Sequence, residues 1–190
     1  RHDNPRLDIS ETLAFDSWTV LAKLRTEGAE GFGHEGLMIK DRDSAYVAGR
    51  PKGPWFKWKR DPRVIDTVMM YAQRGHGRRS SYYSDFTLGI WKGKEVVPVG
   101  KAYSGITDKE LHELDKWVRA NTTNRFGPVR EVKKVLVVEL AFDSVHDSPR
   151  HKSGVALRFP RINRIRWDKP AAEADTLQTI RSLISGQGDT

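Results

Sequence analysis

The sequence predicts an α+β to all-β mixture: a short segment of helix and strands, followed by a five-stranded antiparallel β-barrel with helices. Three observations predict it. Before position 61 the apolar residues recur first at helical and then at strand spacing. Asp61-Pro62 then interrupts both patterns, because proline restricts itself and the residue before it. Beyond it come runs of β-branched and aromatic residues, broken by one strongly capped helix.

The elements follow in order. Asp16 and Ser17 offer N-cap oxygens, and Trp18, Leu21 and Leu24 lie at helical spacing. A helix is predicted over Ser17 to Glu27, with Gly28 as its stop. Gly31 to Gly33 turn the chain into Glu35-Gly-Leu-Met-Ile-Lys40, a buried strand by its apolar run. A charged loop rich in Gly and Pro, Asp41 to Pro54, leads to an aromatic strand, Trp55-Phe-Lys-Trp-Lys59.

The second region is expected to form strands over Ile65 to Ala72, Phe86 to Trp91, Glu95 to Tyr103, Lys134 to Phe142 and Val155 to Arg166. Lys92-Gly93 marks a tight hairpin between the second and third. Thr107-Asp-Lys-Glu110 is a capping box, and Leu111, Leu114, Trp117 and Val118 make one apolar helix face. Three strands, a helix and further strands on a basic chain is the order of an OB barrel. A last helix is predicted near Pro170, with Leu177, Ile180, Leu183 and Ile184 on one stripe, and a fraying tail from Ser185. The expected divisions are 1–61, 62–170 and 171–190.

Composition narrows the function. The 190 residues contain no cysteine, which removes disulfides, thiolate zinc sites and thiol nucleophiles and suits a reducing, cytoplasmic compartment. The net charge of +8 points to a polyanionic partner, nucleic acid or nucleotide first. An anionic membrane surface would need a long lysine-lined amphipathic helix, and spanning would need about 20 apolar residues. Neither pattern is present, so no membrane association is expected. Arg-His-Asp-Asn-Pro at the start is neither a signal peptide nor an initiator, and reads as the middle of something longer.

Strand alternation puts Trp55, Lys57 and Lys59 on one face and Phe56 and Trp58 on the other. Two ammonium groups so close suit a phosphate cradle; a half-buried strand with a solvated lysine face fits the spacing equally. Glu35, at the start of its strand, is either a surface carboxylate or a ligand for a divalent cation in a nucleotide pocket. Lys40 falls on the opposite face from it. The most loaded stretch is Arg158-Phe-Pro-Arg-Ile-Asn-Arg-Ile-Arg-Trp-Asp-Lys169. Its cations suit phosphate oxygens, and Phe159, Ile162, Ile165 and Trp167 between them should hold the charges on a rigid element. Arg78, Arg79, Arg150 and Lys152 are ordinary basic clusters that could meet a DNA backbone or simply face solvent. The histidines show neither metal-ligand spacing nor a triad.

Three stretches together resemble the later nucleotidyltransferase motifs of bacterial-type ATP-dependent DNA ligases. Glu35 to Lys40 is similar to the fourth motif, Trp55 to Lys59 to the fifth, and Arg158-Phe-Pro-Arg through Lys169 to the sixth. Asp43-Ser-Ala-Tyr46 with Gly49-Arg50, and Ser148-Pro-Arg-His-Lys-Ser-Gly154, flank them as in the family. The resemblance implies the end of an adenylation domain, ATP-grasp-like in fold, joined to an OB-fold domain. It implies that Glu35 sits by the nucleotide and supports a catalytic Mg2+, and that Arg50, Lys57 and Lys59 contact the nucleotide. Arg166 and Lys169 would be catalytic, orienting the ATP β- and γ-phosphates so that pyrophosphate leaves in line. Arg78, Arg79, Arg150, Lys152, Arg158 and Arg161 would face DNA.

The family seals nicks in duplex DNA, in repair, replication and recombination, through a lysine–AMP adduct and a DNA-adenylate. Its nucleophile lies in Lys-x-Asp-Gly. Lys59-Arg-Asp-Pro and Lys40-Asp-Arg-Asp both fail that pattern, so the chain alone should be inactive. The implied partners are nicked double-stranded DNA and an amino-terminal part carrying the missing motif. The implied setting is a nucleoid-associated monomer whose barrel swings about residues 61–63. An RNA ligase or capping guanylyltransferase, or a non-catalytic OB-fold module, are the competing readings.

Overall fold

The computed structural model describes residues 12–31, 35–50, 52–77 and 80–185. They fall into two compact units, Arg1–Arg60 and Asp61–Thr190.

In the first unit, helix α1 (Trp18–Gly31) is followed by an antiparallel pair, β1 (Gly36–Lys40) and β2 (Trp55–Lys59). The Ser17 hydroxyl accepts from the Val20 N–H at 3.3 Å, as its N-cap position predicts. The helix nonetheless continues past Gly28, because a helical glycine costs only about 1 kcal/mol and needs neighbouring signals to end a helix. Leu21 is buried, and Trp18 meets the Trp58 ring edge-on at 6.2 Å. Arg25 stacks over Trp58 at 5.0 Å and donates to the Lys59 carbonyl at 2.8 Å. The pair register opposes Gly36 to Lys59, Met38 to Lys57 and Lys40 to Trp55. Gly36 has φ 135°, and a Cβ there would run into the Trp58 carbonyl, so this close crossing requires glycine.

The second unit is built around β3 (Arg63–Arg74), a 12-residue strand. Its first half pairs with β8 (Val137–Phe142), its second half with β7 (Val129–Val132), and its other edge with β4 (Tyr83–Lys92). Outward from these, β4 pairs with β5 (Glu95–Ala102), β7 with β6 (Thr122–Phe126), and β8 with β11 (Arg161–Arg166). The result is a curled seven-stranded antiparallel sheet, a half-barrel. A separate pair, β9 (Ser144–Asp147) and β10 (Val155–Arg158), lies beside β5, where Gly100 faces Leu157 and Pro160.

Inside the curl Phe86, Phe142, Met69, Leu88, Leu140 and Ile162 are fully buried, each worth about 1.5–3 kcal/mol of apolar transfer. A register shift at Met70 in β3 flips the strand's alternation. Asp66, Val68 and Met70 therefore point outward before it, and Tyr71 after it. Helix α2 (Asp108–Asn121) carries the expected capping box between Thr107 and Glu110, and buries Leu111, Leu114 and Val118 against the core. Gly105, at φ 97°, lies where a Cβ would overlap the Ile162 carbonyl. Helix α3 (Leu177–Ser185) caps the core with Ile180, fully buried.

Several expectations are corrected. Val155 to Arg166 is two strands in different sheets, because Phe159 adopts φ 52° and Pro160 has no N–H to continue a ladder. The strand expected from Lys134 begins at Val137, after a turn. The last helix begins at Leu177, not near Pro170; residues Ala171–Glu173 form a single 3-10 turn first. The β6–β7 hairpin and β9 were not expected at all.

Candidate nucleotide- and phosphate-binding sites

In the first unit the β1–β2 pair has one covered and one open face. Trp58 and Leu37 lie on the side packed by α1. Lys57, Lys59, Trp55, Met38 and Lys40 lie on the other, as strand alternation predicts. Lys40 sits over the Trp55 ring at 4.8 Å, and Tyr46 tilts against the same ring at 6.1 Å. Lys57 is exposed beside Met38. The Lys59 ammonium lies 3.9 Å from Glu35, and both side chains are about half exposed. Arg50 is exposed in the connection between the strands. The arrangement is a flat, cationic and aromatic shelf suited to an anion with a planar group. Among the described residues no three His, Cys, Asp or Glu side chains converge as metal ligands. Glu35 can give one oxygen to a magnesium ion held otherwise by phosphate and water.

The second unit holds its candidate site on the outer face of β11, β8 and β3. The register aligns Arg164, Glu139 and Asp66 across the three strands, and Arg166 with Val137 one step along. Lys169 follows in the turn after β11, its N–H bonded to the Arg166 carbonyl at 3.3 Å. The Lys169 ammonium donates to Asp66 Oδ2 at 2.7 Å, and Arg166 Nη1 reaches the same oxygen at 3.4 Å. The other edge of the guanidinium grips Asp168 bidentately, at 3.1 and 3.0 Å. Asn163 donates to Glu139 at 2.6 Å beside them.

The charges respond accordingly. Hydrogen bonding to Arg166 holds the Asp168 carboxyl down at about 2, and the same pairing raises Arg166. The hydrogen bond to Asp66 raises Lys169 against the opposing cost of burial. Both cations are therefore fully charged at neutral pH and locked in place, with about a fifth of each side chain exposed.

The other sequence candidates scatter. Arg150 and Lys152 are exposed in the turn joining β9 and β10. Arg158 lies over the Phe159 ring at 5.1 Å. Arg161 is paired to Asp143 at 3.4 Å. Arg78 and Arg79 lie outside the described residues. Phe159 and Trp167 do not anchor the basic stretch as expected: they are 62% and 51% exposed, and Ile162 and Ile165 alone are buried. The kink at Phe159-Pro160 rotates the ring out of the register that would have packed it.

Sequence reasoning missed two features. Asp66 is one; a carboxylate inside an apolar strand had to have a buried cationic partner, and that was its available signal. The other is a cluster in which Arg74, Arg119 and Arg130 surround Tyr83 at 5.8, 5.4 and 5.9 Å. Asp115 is its counter-ion: burial pushes the carboxyl up, but hydrogen bonds from Arg119 and the Tyr83 N–H prevail and lower it. No helix among the described residues is long and apolar enough to cross a membrane.

Comparison with known proteins adds a family. The family described as ATP dependent DNA ligase C terminal region matches residues 79–169. A probable DNA ligase of Koribacter versatilis is 48% identical over 159 residues, 84% of this chain and 28% of that protein. A DNA ligase of Halorubrum lacusprofundi is 36% identical over 98% of this chain and 32% of its own length. The ligase domain of LigD from M. tuberculosis superposes with a TM-score of 0.53 at 25% identity, covering 86% of this chain and 53% of that one. The chain thus spans a third or less of these curated relatives and about half of the solved ligase domain. It belongs to the ATP-dependent DNA ligase family, as that family's C-terminal region.

Proposed function

We propose that this chain is the phosphate-handling, DNA-facing part of an enzyme that seals nicks in duplex DNA with ATP. The observation that carries the reading is the fixed Arg166–Lys169 pair. Two permanently charged donors, rigidly spaced on a strand and its following turn, are what orienting a leaving pyrophosphate requires. Lys57 and Lys59 would meet the nucleotide phosphates, with Arg50 nearby, and Trp55 would offer a stacking surface. Glu35 would give one oxygen to Mg2+, whose contribution when bound is to neutralise phosphate charge. The exposed Arg150, Lys152 and Arg158, with Arg161, would contact the DNA backbone, which adds affinity without reading sequence.

The sequence contains no Lys-x-Asp-Gly, so AMP transfer needs a partner segment that supplies it. Incubation with ATP labelled at the α-phosphate and magnesium tests this. The chain alone should take no label, and the lysine-bearing part should take it when the two are mixed. Label on this chain would overturn the reading. In an intact ligase carrying this region, Arg166→Ala should slow self-adenylation by about a hundredfold or more. Sealing of pre-adenylated DNA should change far less, and equal losses in both steps would remove the assignment of Arg166 to the leaving pyrophosphate.

A further inference from the structure

Arg166 has two carboxylate partners of opposite character. The Asp66 side chain is 12% exposed, and that of Asp168 is 59% exposed. Asp66 is also clamped through its backbone. Its N–H donates to Asp175 Oδ2 at 2.7 Å, and the Asp175 N–H returns a bond to the Asp66 carbonyl at 2.8 Å. Its Oδ1 is buried without a hydrogen-bond partner, so both cations share Oδ2. Glu139, the other carboxylate on this face, is taken by Asn163. Asp168, by contrast, sits in the turn after β11 and engages the Nε–Nη2 edge, the edge that forks onto two oxygens.

We propose that Asp66 is a positioning residue that holds Lys169 and one corner of Arg166, while Asp168 is an exchangeable stand-in for phosphate on the open edge of Arg166. The inference rests on the reading of Arg166 and Lys169 as phosphate ligands. A buried ion pair resists separation because the residual charge is left desolvated. An exposed pair opens at little cost, since water and a competing anion replace the contact. A polyphosphate arriving at this face therefore displaces Asp168 and leaves Asp66 in place. The Lys169 ammonium has three donors, of which one serves Asp66 and two are available to the anion.

The test uses inorganic tripolyphosphate titrated calorimetrically into the whole chain. Asp168→Asn and Asp66→Asn raise the net charge equally, so simple electrostatics predicts that both tighten binding. Positioning predicts opposite effects: about threefold tighter for Asp168→Asn, as expected from removing an exposed competitor, and about tenfold weaker for Asp66→Asn. Tightening in both variants would overturn the proposal. If Arg166→Ala combined with Lys169→Ala leaves affinity unchanged, the phosphate reading itself fails, and the proposal with it. Should Asp66→Asn not fold, nitrogen-15 NMR of the wild-type chain decides. On adding tripolyphosphate the Arg166 Nε–H signal should shift while the Lys169 ammonium stays bonded to Asp66; loss of that bond would overturn the proposal.

Discussion

The two units present cations to solvent in opposite ways. On the β1–β2 pair, Lys57 stands exposed on an open shelf beside Met38, 48% exposed, and Trp55, 36% exposed. On the half-barrel, Arg166 and Lys169 are already bound to Asp66 and Asp168, above a sheet whose inner face is fully packed. The half-barrel completes its own packing, and it supplies the counter-ions of Arg166 and Lys169 from within the same unit. The hairpin instead leaves the side chains of its cationic face largely in solvent. A closed core specifies positions to a fraction of an ångström, whereas an open strand face specifies only which side chains point together.

The same substitution in both places is the strongest way to break that comparison. Phe142→Ala should cost about 3–5 kcal/mol, because it empties a fully buried site. Phe56→Ala should change stability by no more than about 0.5 kcal/mol, because the ring is already in water. Denaturant unfolding of the two variants measures both, and similar losses would mean that the Phe56 side of the hairpin is packed rather than open.

A smaller effect sharpens the electrostatic half. The folded pKa of Asp168, about 2, lies below its ordinary 3.8, so its contribution is present above about pH 4 and is lost as pH falls toward 2. Lys169 is raised above its ordinary 10.5, so its contribution is present below that pH and is lost only as pH rises through the higher folded value. An NMR titration of the Asp168 carboxyl should give a midpoint near 2; one near 3.8 would mean that the Arg166 fork is open in solution. The smallest expected change is for Lys57→Gln. It should leave stability within about 0.5 kcal/mol while lowering ATP-dependent adenylation in an intact ligase. A large stability loss would make Lys57 a structural residue.

Much of this was legible from residues alone, for identifiable reasons. The capping box at Thr107 was readable because it is a contact between near neighbours. The two faces of Trp55 to Lys59 followed from alternation, and the register agrees. Phe159 was misassigned because its positive φ before Pro160 turns it out of the strand, and Trp167 because β11 ends at Arg166 and leaves it in the turn. The late start of α3 is non-local: Pro170 opens only a 3-10 turn, and the Asp66–Asp175 hydrogen bonds and the Trp91–Thr176 bridge then hold Asp175 and Thr176 out of helix.

By itself the sequence determined the types of residue available and their local spacing: cations in the sixth-motif stretch, lysines on one strand face, a helix capped at Thr107. Local geometry is set by neighbouring residues, so neighbours suffice to read it. Only the tertiary structure decided what opposes the two cations. Asp66 is 100 positions from Arg166 and 103 from Lys169 along the chain. It meets them because β8 lies between β3 and β11, a pairing that no local pattern encodes. The β3–β8–β11 register with the Asp175 clamp, and the turn after β11, then decide which carboxylate is buried and which stays exposed, and with it which partner a phosphate can replace.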